Sequence, residues 1–310
     1  MEWGLHVAGA DEIGNGLSLR GIGKLEADSK LGPVLAMTAD LIEEYFGSIA
    51  FSRCVFGNEF CEHLIAPPEK LEEILVAAGE ARLPVTYLTP FCSDAGIETL
   101  RPIFHLLSLS ERPVEVAFND WGVLNLLRRD FPELTPVQGR LMNKSLRDPR
   151  VTGVYASSEA PGPALVSLRR SNLDCASYTG FLAGLDVHLA EMDNLPQGVD
   201  LSFAGDGLRA SVYFPFGFIS TSRICMAAGL HYRKRDKFQP GAPCRHECQS
   251  HLLEYSYTNS PFGNRDQKFY LKGNTYFYVH TEEMLRSLFQ QAHSGMIDRL
   301  IFQPQLPMRE

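Results

Sequence analysis

Val114-Glu115-Val116-Ala117-Phe118-Asn119-Asp120-Trp121-Gly122-Val123-Leu124-Asn125-Leu126-Leu127-Arg128-Arg129, with Leu134-Thr135-Pro136-Val137-Gln138-Gly139-Arg140-Leu141 five residues on, decides the fold class. Val114–Phe118 is a short apolar run with the length and β-branched character of a strand. Asn119-Asp120 caps a helix over Trp121–Arg129. Leu134–Leu141 then returns as a strand, with Pro136 tolerable near its start. The stretch is therefore one strand–helix–strand unit.

The same unit repeats on both sides. Upstream, Ala39–Phe46 has helical spacing and Ile49–Phe56 reads as a strand. Pro67-Pro68 opens a helix over Glu69–Ala81, and Val85–Thr89 is a strand. Ser93-Asp94 caps a helix over Ala95–Leu109. Downstream, Ala164–Leu168 reads as a short strand, a helical run follows Asp174, and Val187–Met192 is a strand ending at Asp193-Asn194. Leu208–Ile219 reads as one long strand, and His251–Tyr257, Lys268–Leu271 and Tyr276–His280 as three more, the last two joined by a turn at Lys272-Gly273-Asn274-Thr275. Thr281 caps a helix over Glu282–His293, and Asp298–Phe302 is the final strand.

Repeated units of this kind imply an α/β fold with a parallel sheet and right-handed crossovers, whose functional groups collect at the strands' C-terminal ends. The expected architecture is a (β/α) barrel, TIM-barrel-like, whether complete or irregular. An open doubly wound sheet is the alternative, but no glycine-rich dinucleotide fingerprint follows the first strand. Residues 1–36, rich in glycine and polar side chains without a sustained period, read as an N-terminal extension, either a short strand and a loop or a mobile tail, and 37–310 as a single barrel domain with a cysteine-rich loop at 223–251.

The 310 residues are 45% hydrophobic and 21% charged, with a net charge of −8. That acidity argues against unspecific binding to nucleic acid, although Arg233, Lys234, Arg235 and Lys237 form a local basic run. No apolar segment reaches about 18 residues and no leader pattern opens the chain, so a cytoplasmic protein without a membrane span is expected. Seven cysteines, an odd number without regular spacing, make a poor disulfide framework.

Three of the seven lie in the loop Arg223–His251, among Arg, Lys and His side chains rather than in an apolar run: Cys225, Cys244 and Cys248. Basic neighbours and backbone N–H groups stabilise the thiolate that metals bind. A closed site wants four ligands, and Cys61, followed by Glu62 and His63 at a strand's exit, is the best fourth candidate. Cys54, Cys92 and Cys175 read as packing residues. Thiolates suit both an iron–sulfur cluster and zinc, and the Cys-x3-Cys spacing with His246 and His251 nearby keeps zinc open. Asn119, Asp120, Arg140, Asn143 and Lys144, at or just past strand ends, are candidates for binding a polar anion, with helix capping or a local ion pair, such as Arg140 with Glu133, as their structural roles. No Gly-x-Ser-x-Gly or His-Glu-x-x-His motif is present.

Four segments together, Phe118–Leu124, Val137–Leu141, Arg223-Ile224-Cys225 with Cys244-x3-Cys248, and Leu271–Thr275, resemble the peptidase U-thirty-two (collagenase-like protease) family over about Phe51 to Phe302. Within it, Gly57-Asn58-Glu59-Phe60-Cys61 with the three later cysteines resembles the UbiV branch of oxygen-independent ubiquinone biosynthesis. The position seven before Cys225, a cysteine in UbiU-like members, is Phe218 here. The resemblance implies a four-iron, four-sulfur (4Fe-4S) cluster on Cys61, Cys225, Cys244 and Cys248, a UbiU-like partner subunit, and prephenate as an oxygen source for hydroxylation. Relatives that hydroxylate RNA bases supply an alternative, and a zinc-stapled non-catalytic subunit or a peptidase are others.

Overall fold

The computed structural model describes residues 1–15, 30–149, 161–205, 207–237, 243–256 and 268–309. Its strands are β1 (Glu2–Val7), β2 (Arg53–Gly57), β3 (Val85–Leu88), β4 (Val114–Phe118), β5 (Thr135–Gln138), β6 (Leu189–Asp193), β7 (Arg209–Phe214), β8 (Phe216–Thr221), β9 (Leu253–Ser256), β10 (Lys268–Lys272), β11 (Thr275–Val279) and β12 (Arg299–Phe302). Eight of them close a parallel barrel in the order β1-β12-β7-β6-β5-β4-β3-β2, and β8-β11-β10-β9 form a separate antiparallel sheet. The fold is a (β/α) barrel carrying a four-stranded sheet between its seventh and eighth strands.

The helices are α1 (Ala10–Asn15), α2 (Gly32–Phe46), α3 (Pro68–Glu80), α4 (Asp94–Ser108), α5 (Trp121–Asp130), α6 (Gly162–Arg169), α7 (Ala176–Gly184), α8 (Glu247–Ser250) and α9 (Glu282–His293). Their starts follow the capping residues: Ser93 Oγ accepts from the Gly96 N–H, Asp120 Oδ1 from Gly122 and Thr281 Oγ1 from Met284. Among the described residues no helix is long and apolar enough to cross a membrane.

Alternation along the strands fills the lumen in layers. Val55, Leu88, Ala117, Val137, Leu189, Tyr213 and Ile301 pack as a cluster of their own, each from a different barrel strand. The remaining strand, β1, contributes Gly4, where a Cβ would stand 3.2 Å from both Val55 and Ile301. At the strands' N-terminal end, Arg299 reaches Glu115 (2.8 and 3.0 Å) on β4, a strand that is not its neighbour, so this ion pair spans the lumen. Glu2 joins the network, accepting from Arg53 Nε at 2.7 Å and Arg299 Nε at 2.6 Å.

Three expectations need correction. Residues 1–36 begin with a barrel strand: β1 pairs in parallel with both β12 and β2, burying Trp3, Leu5 and Val7. Ala164–Leu168 is helix, not strand; Pro163 stands in the first turn of α6, and a five-residue apolar run carries no period of its own. Leu208–Ile219 is two strands, broken at Pro215, which has no N–H for a ladder. Its second half, β8, leaves the barrel and pairs with β11.

Candidate functional site

The segment after β2 serves two centres within three residues. Gly57 has φ +120° and packs on the Leu88 backbone so closely that a side chain would collide with it. Asn58 Oδ1 then accepts from the N–H groups of Phe60 (3.0 Å) and Cys61 (3.1 Å), a local turn that fixes the direction of both. Glu59 points into the barrel mouth, whereas Cys61 faces a cavity outside it.

Inside the mouth, Glu59 holds Arg140 through contacts of 2.6, 2.9 and 3.0 Å. Arg140 Nη1 also donates to Asp193 at 2.9 Å, and its guanidinium lies 4.0 Å from the Tyr213 ring centroid. Arg147 binds the other Asp193 oxygen. All of these groups are buried, Arg140 completely. Burial alone would lower the guanidinium's pKa, but Glu59 and Asp193 hold it well above the usual range. Below them Glu191 accepts from Tyr213 Oη at 2.9 Å, and burial with the nearby Glu59 charge pushes its carboxyl up to about 8. His280, with no partner for either ring nitrogen among the described residues, is driven down to about 3 by burial.

The cavity outside the mouth is lined by Cys61, Cys225, Cys244 and Cys248, together with His63, Arg223, Tyr232, Glu247, Gly273 and Asn274. Three of the four thiols have an N–H donor aimed at them. Ala228 N–H reaches Cys225 Sγ at 3.4 Å, His246 N–H reaches Cys244 Sγ at 3.4 Å, and the Gln249 side chain reaches Cys248 Sγ at 3.2 Å. Near Cys61 the His63 backbone N–H favours the thiolate. Such donors stabilise a thiolate, and burial opposes them: without a cation in the cavity it pushes Cys61 up to about 12 and raises Cys225 and Cys248 as well. The donor set fits a group that takes soft, anionic sulfur. Among the described residues no three His, Cys, Asp or Glu side chains gather as ligands of a single ion.

The other three cysteines stand apart from this set, and all seven are free thiols. Burial pushes Cys54 and Cys92 up to about 12. Cys175, read as a packing residue, is instead exposed at the start of α7, 3.1 Å from Ser177 Oγ.

The proposed anion-binding residues divide. Asn119, Asn143 and Lys144 line a cleft of about 880 Å³, with Phe91, Arg147, Arg170 and Arg223. Arg223 also lines the thiol cavity, so cleft and cavity share a wall. Asn119 is partly spoken for, its Nδ2 donating to Thr89 O (2.8 Å) and its Oδ1 accepting from the Leu141 N–H (2.9 Å), which pins the ends of β3 and β5 together. Asp120 caps α5 and is not among the cleft's lining residues. Arg140 lies beneath the cleft, engaged by Glu59 and Asp193 rather than by Glu133. Sequence reasoning missed Glu59, Asp193 and Arg147 as a charged centre. The Glu in Gly57-Asn58-Glu59 and the strand-end Asp193 were visible, but nothing local shows that they meet one arginine.

No protein-family model matches the chain, and no curated protein matches it. Among solved structures it is similar to a U32 peptidase, at 12% identity over 99% of this chain and 95% of that one, with a TM-score of 0.38. An Oleispira antarctica phosphodiesterase in complex with sn-glycerol-3-phosphate gives 9% identity over 69% and 84%, with a TM-score of 0.38. The Bacillus megaterium spore cortex-lytic enzyme SleL gives 9% over 97% and 70%, with a TM-score of 0.34. Likenesses this slight carry no chemistry across to this chain.

Proposed function

We propose that this protein is a U32-type iron–sulfur protein of the UbiV-like branch, holding a 4Fe-4S cluster on Cys61, Cys225, Cys244 and Cys248 and taking part with a UbiU-like subunit in oxygen-independent hydroxylation. The observation that carries the reading is that four thiols from two distant parts of the chain line one cavity, three of them with an N–H donor. Ligands of a single zinc stand about 2.3 Å from one point, hence roughly 3.8 Å from one another. Thiolates on a four-iron cluster each take a separate iron, so four cysteines complete such a cluster. Bound there, such a cluster supplies one-electron transfer.

The chain's own residues do the rest. Arg223 stands between cavity and cleft, so an anion held there would sit beside the cluster. Lys144 and Arg170 supply further positive charge to the cleft, and the Asn143 amide a neutral polar group. The family resemblance names prephenate as the anion and oxygen source. Glu59 and Asp193 fix Arg140 beneath the cleft and Arg147 in its wall, and neutralise them in place.

Anaerobic purification with iron, sulfide and zinc analysis tests the assignment, on wild type, Cys61→Ser and Cys225→Ala. The expected result is about four irons and four sulfides per chain, with a broad visible absorption lost in both variants. One zinc per chain, kept without Cys61 and without sulfide, overturns it.

A further inference from the structure

The turn between β10 and β11 contributes no thiol, yet it touches three of the four cysteine-bearing segments. Gly273, at φ +60°, approaches Cys248 so closely that a Cβ on it would lie 3.1 Å from Cys248 Cβ. Gly273 O accepts the Ala227 N–H at 3.1 Å, two residues past Cys225. The Asn274 side chain does the rest. Its Nδ2 donates to Phe60 O at 2.7 Å and to Ser222 O at 2.6 Å, while Oδ1 accepts from the Thr275 hydroxyl at 2.9 Å.

Phe60 directly precedes Cys61, and Ser222 stands three residues before Cys225. The first belongs to the loop after a barrel strand and the second to the loop after β8 of the side sheet. One amide, 5% exposed, therefore ties the two loops by both of its hydrogens, while its oxygen is taken by the adjacent threonine. Only a planar group with two donors and one acceptor satisfies all three partners. Alanine leaves two buried carbonyls unpaired, and aspartate, of the same shape, sets a carboxylate against them.

We infer that Asn274, seated on the Gly273 turn, is a positioning residue that sets the spacing of Cys61 from Cys225, Cys244 and Cys248. The inference rests on reading these thiols as ligands of one centre. Its test is run on metal-free protein, with Asn274→Ala and Asn274→Asp beside wild type. Diamide oxidation is followed by peptide mapping, counting disulfides that join the Cys61 peptide to those of the other three cysteines, and thermal unfolding is recorded for each variant.

The expected result is a Cys61 cross-link yield about tenfold lower in N274A, from loss of two buried hydrogen bonds, and at least as low in N274D, with cooperative unfolding kept in both. Wild-type yields in both variants overturn the inference. So does a loss in N274A that the isosteric N274D restores, because that pattern belongs to packing and not to the two donated bonds. Iron and sulfide uptake by wild type is measured alongside. Its failure sinks the cluster reading by itself, and the cross-link comparison still decides for or against Asn274.

Discussion

Replacing Arg140 by leucine removes the centre of the charged cluster in the barrel mouth, and the outcome can be worked through in advance. Arg140 makes three contacts to Glu59 and one to Asp193. Asp193 keeps Arg147 when Arg140 is gone, so Glu59, 1% exposed, is the group left bare. Removing one partner of a buried pair costs about 3–5 kcal/mol. The bidentate geometry and the lost stacking on Tyr213 put this variant toward the upper end of that range. Protonation offers relief. The bare Glu59 carboxyl titrates higher when folded than when unfolded, so the folded variant retains a proton that the unfolded chain releases above its ordinary 4.5. The penalty is therefore smaller at pH 5 than at pH 8. Urea unfolding of the metal-free protein, followed by fluorescence of the buried Trp3 on β1, measures both quantities. A second variant, Glu59→Leu with Arg140→Leu, recovers most of the loss. A cost below about 1 kcal/mol for R140L at pH 8, or a double variant no more stable than R140L, refutes the assignment of these contacts as a buried, mutually dependent pair.

Two further outcomes follow from the titrating groups. With its folded carboxyl up at about 8, Glu191 holds a proton that the unfolded chain has released, so its contribution is present in acid and lost as pH rises through that value. His6 and His280, lowered to about 4 and about 3, act the other way: their contribution is present above about 6.5 and lost as pH falls. Between pH 6.5 and 8 the glutamate should therefore dominate, with about 2 kcal/mol lost. Glu191→Gln, which keeps an acceptor for Tyr213, should flatten that slope; an unchanged slope in urea titrations contradicts the assignment. Among the cysteines outside the cavity, Cys175 should react first with a thiol reagent at pH 7.5, because Ser177 and the N–H groups opening α7 lower its pKa. Mass mapping that finds native Cys54 or Cys92 labelled before Cys175 would count against the burial described above.

The barrel was legible because its units are local. The caps at Ser93, Asp120 and Thr281 stand beside the helices they start, and the intervening strands are short apolar runs. What escaped was non-local. β1 owes its place to pairing with β12 at the far end of the chain, and a glycine-rich opening gives no hint of that partner. The side sheet was hidden because β8 follows β7 after a single residue, so one apolar run served two sheets. Three of the four cysteines could be grouped from their basic, polar surroundings and Cys61 from its place at a strand's exit, but Glu59, Asp193 and Asn274 look like ordinary loop or strand-end residues until the chain is folded around them.

Closure of the barrel has a consequence for how the protein is made. β1 lies between β2 and β12, and β12 lies between β1 and β7, so the ring cannot shut until residues 299–302 are available. The cavity is later still in sequence than its first thiol, since Cys61 waits about 160 residues for Cys225 and longer for the Asn274 amide. A nascent chain therefore carries Cys61 as a separate, oxidisable thiol, open to stray metals and oxidants, until its partners have been made. Loading of the site belongs after residues 299–302 have joined the ring, and the yield of correctly filled protein should depend on how well those thiols are kept reduced until then.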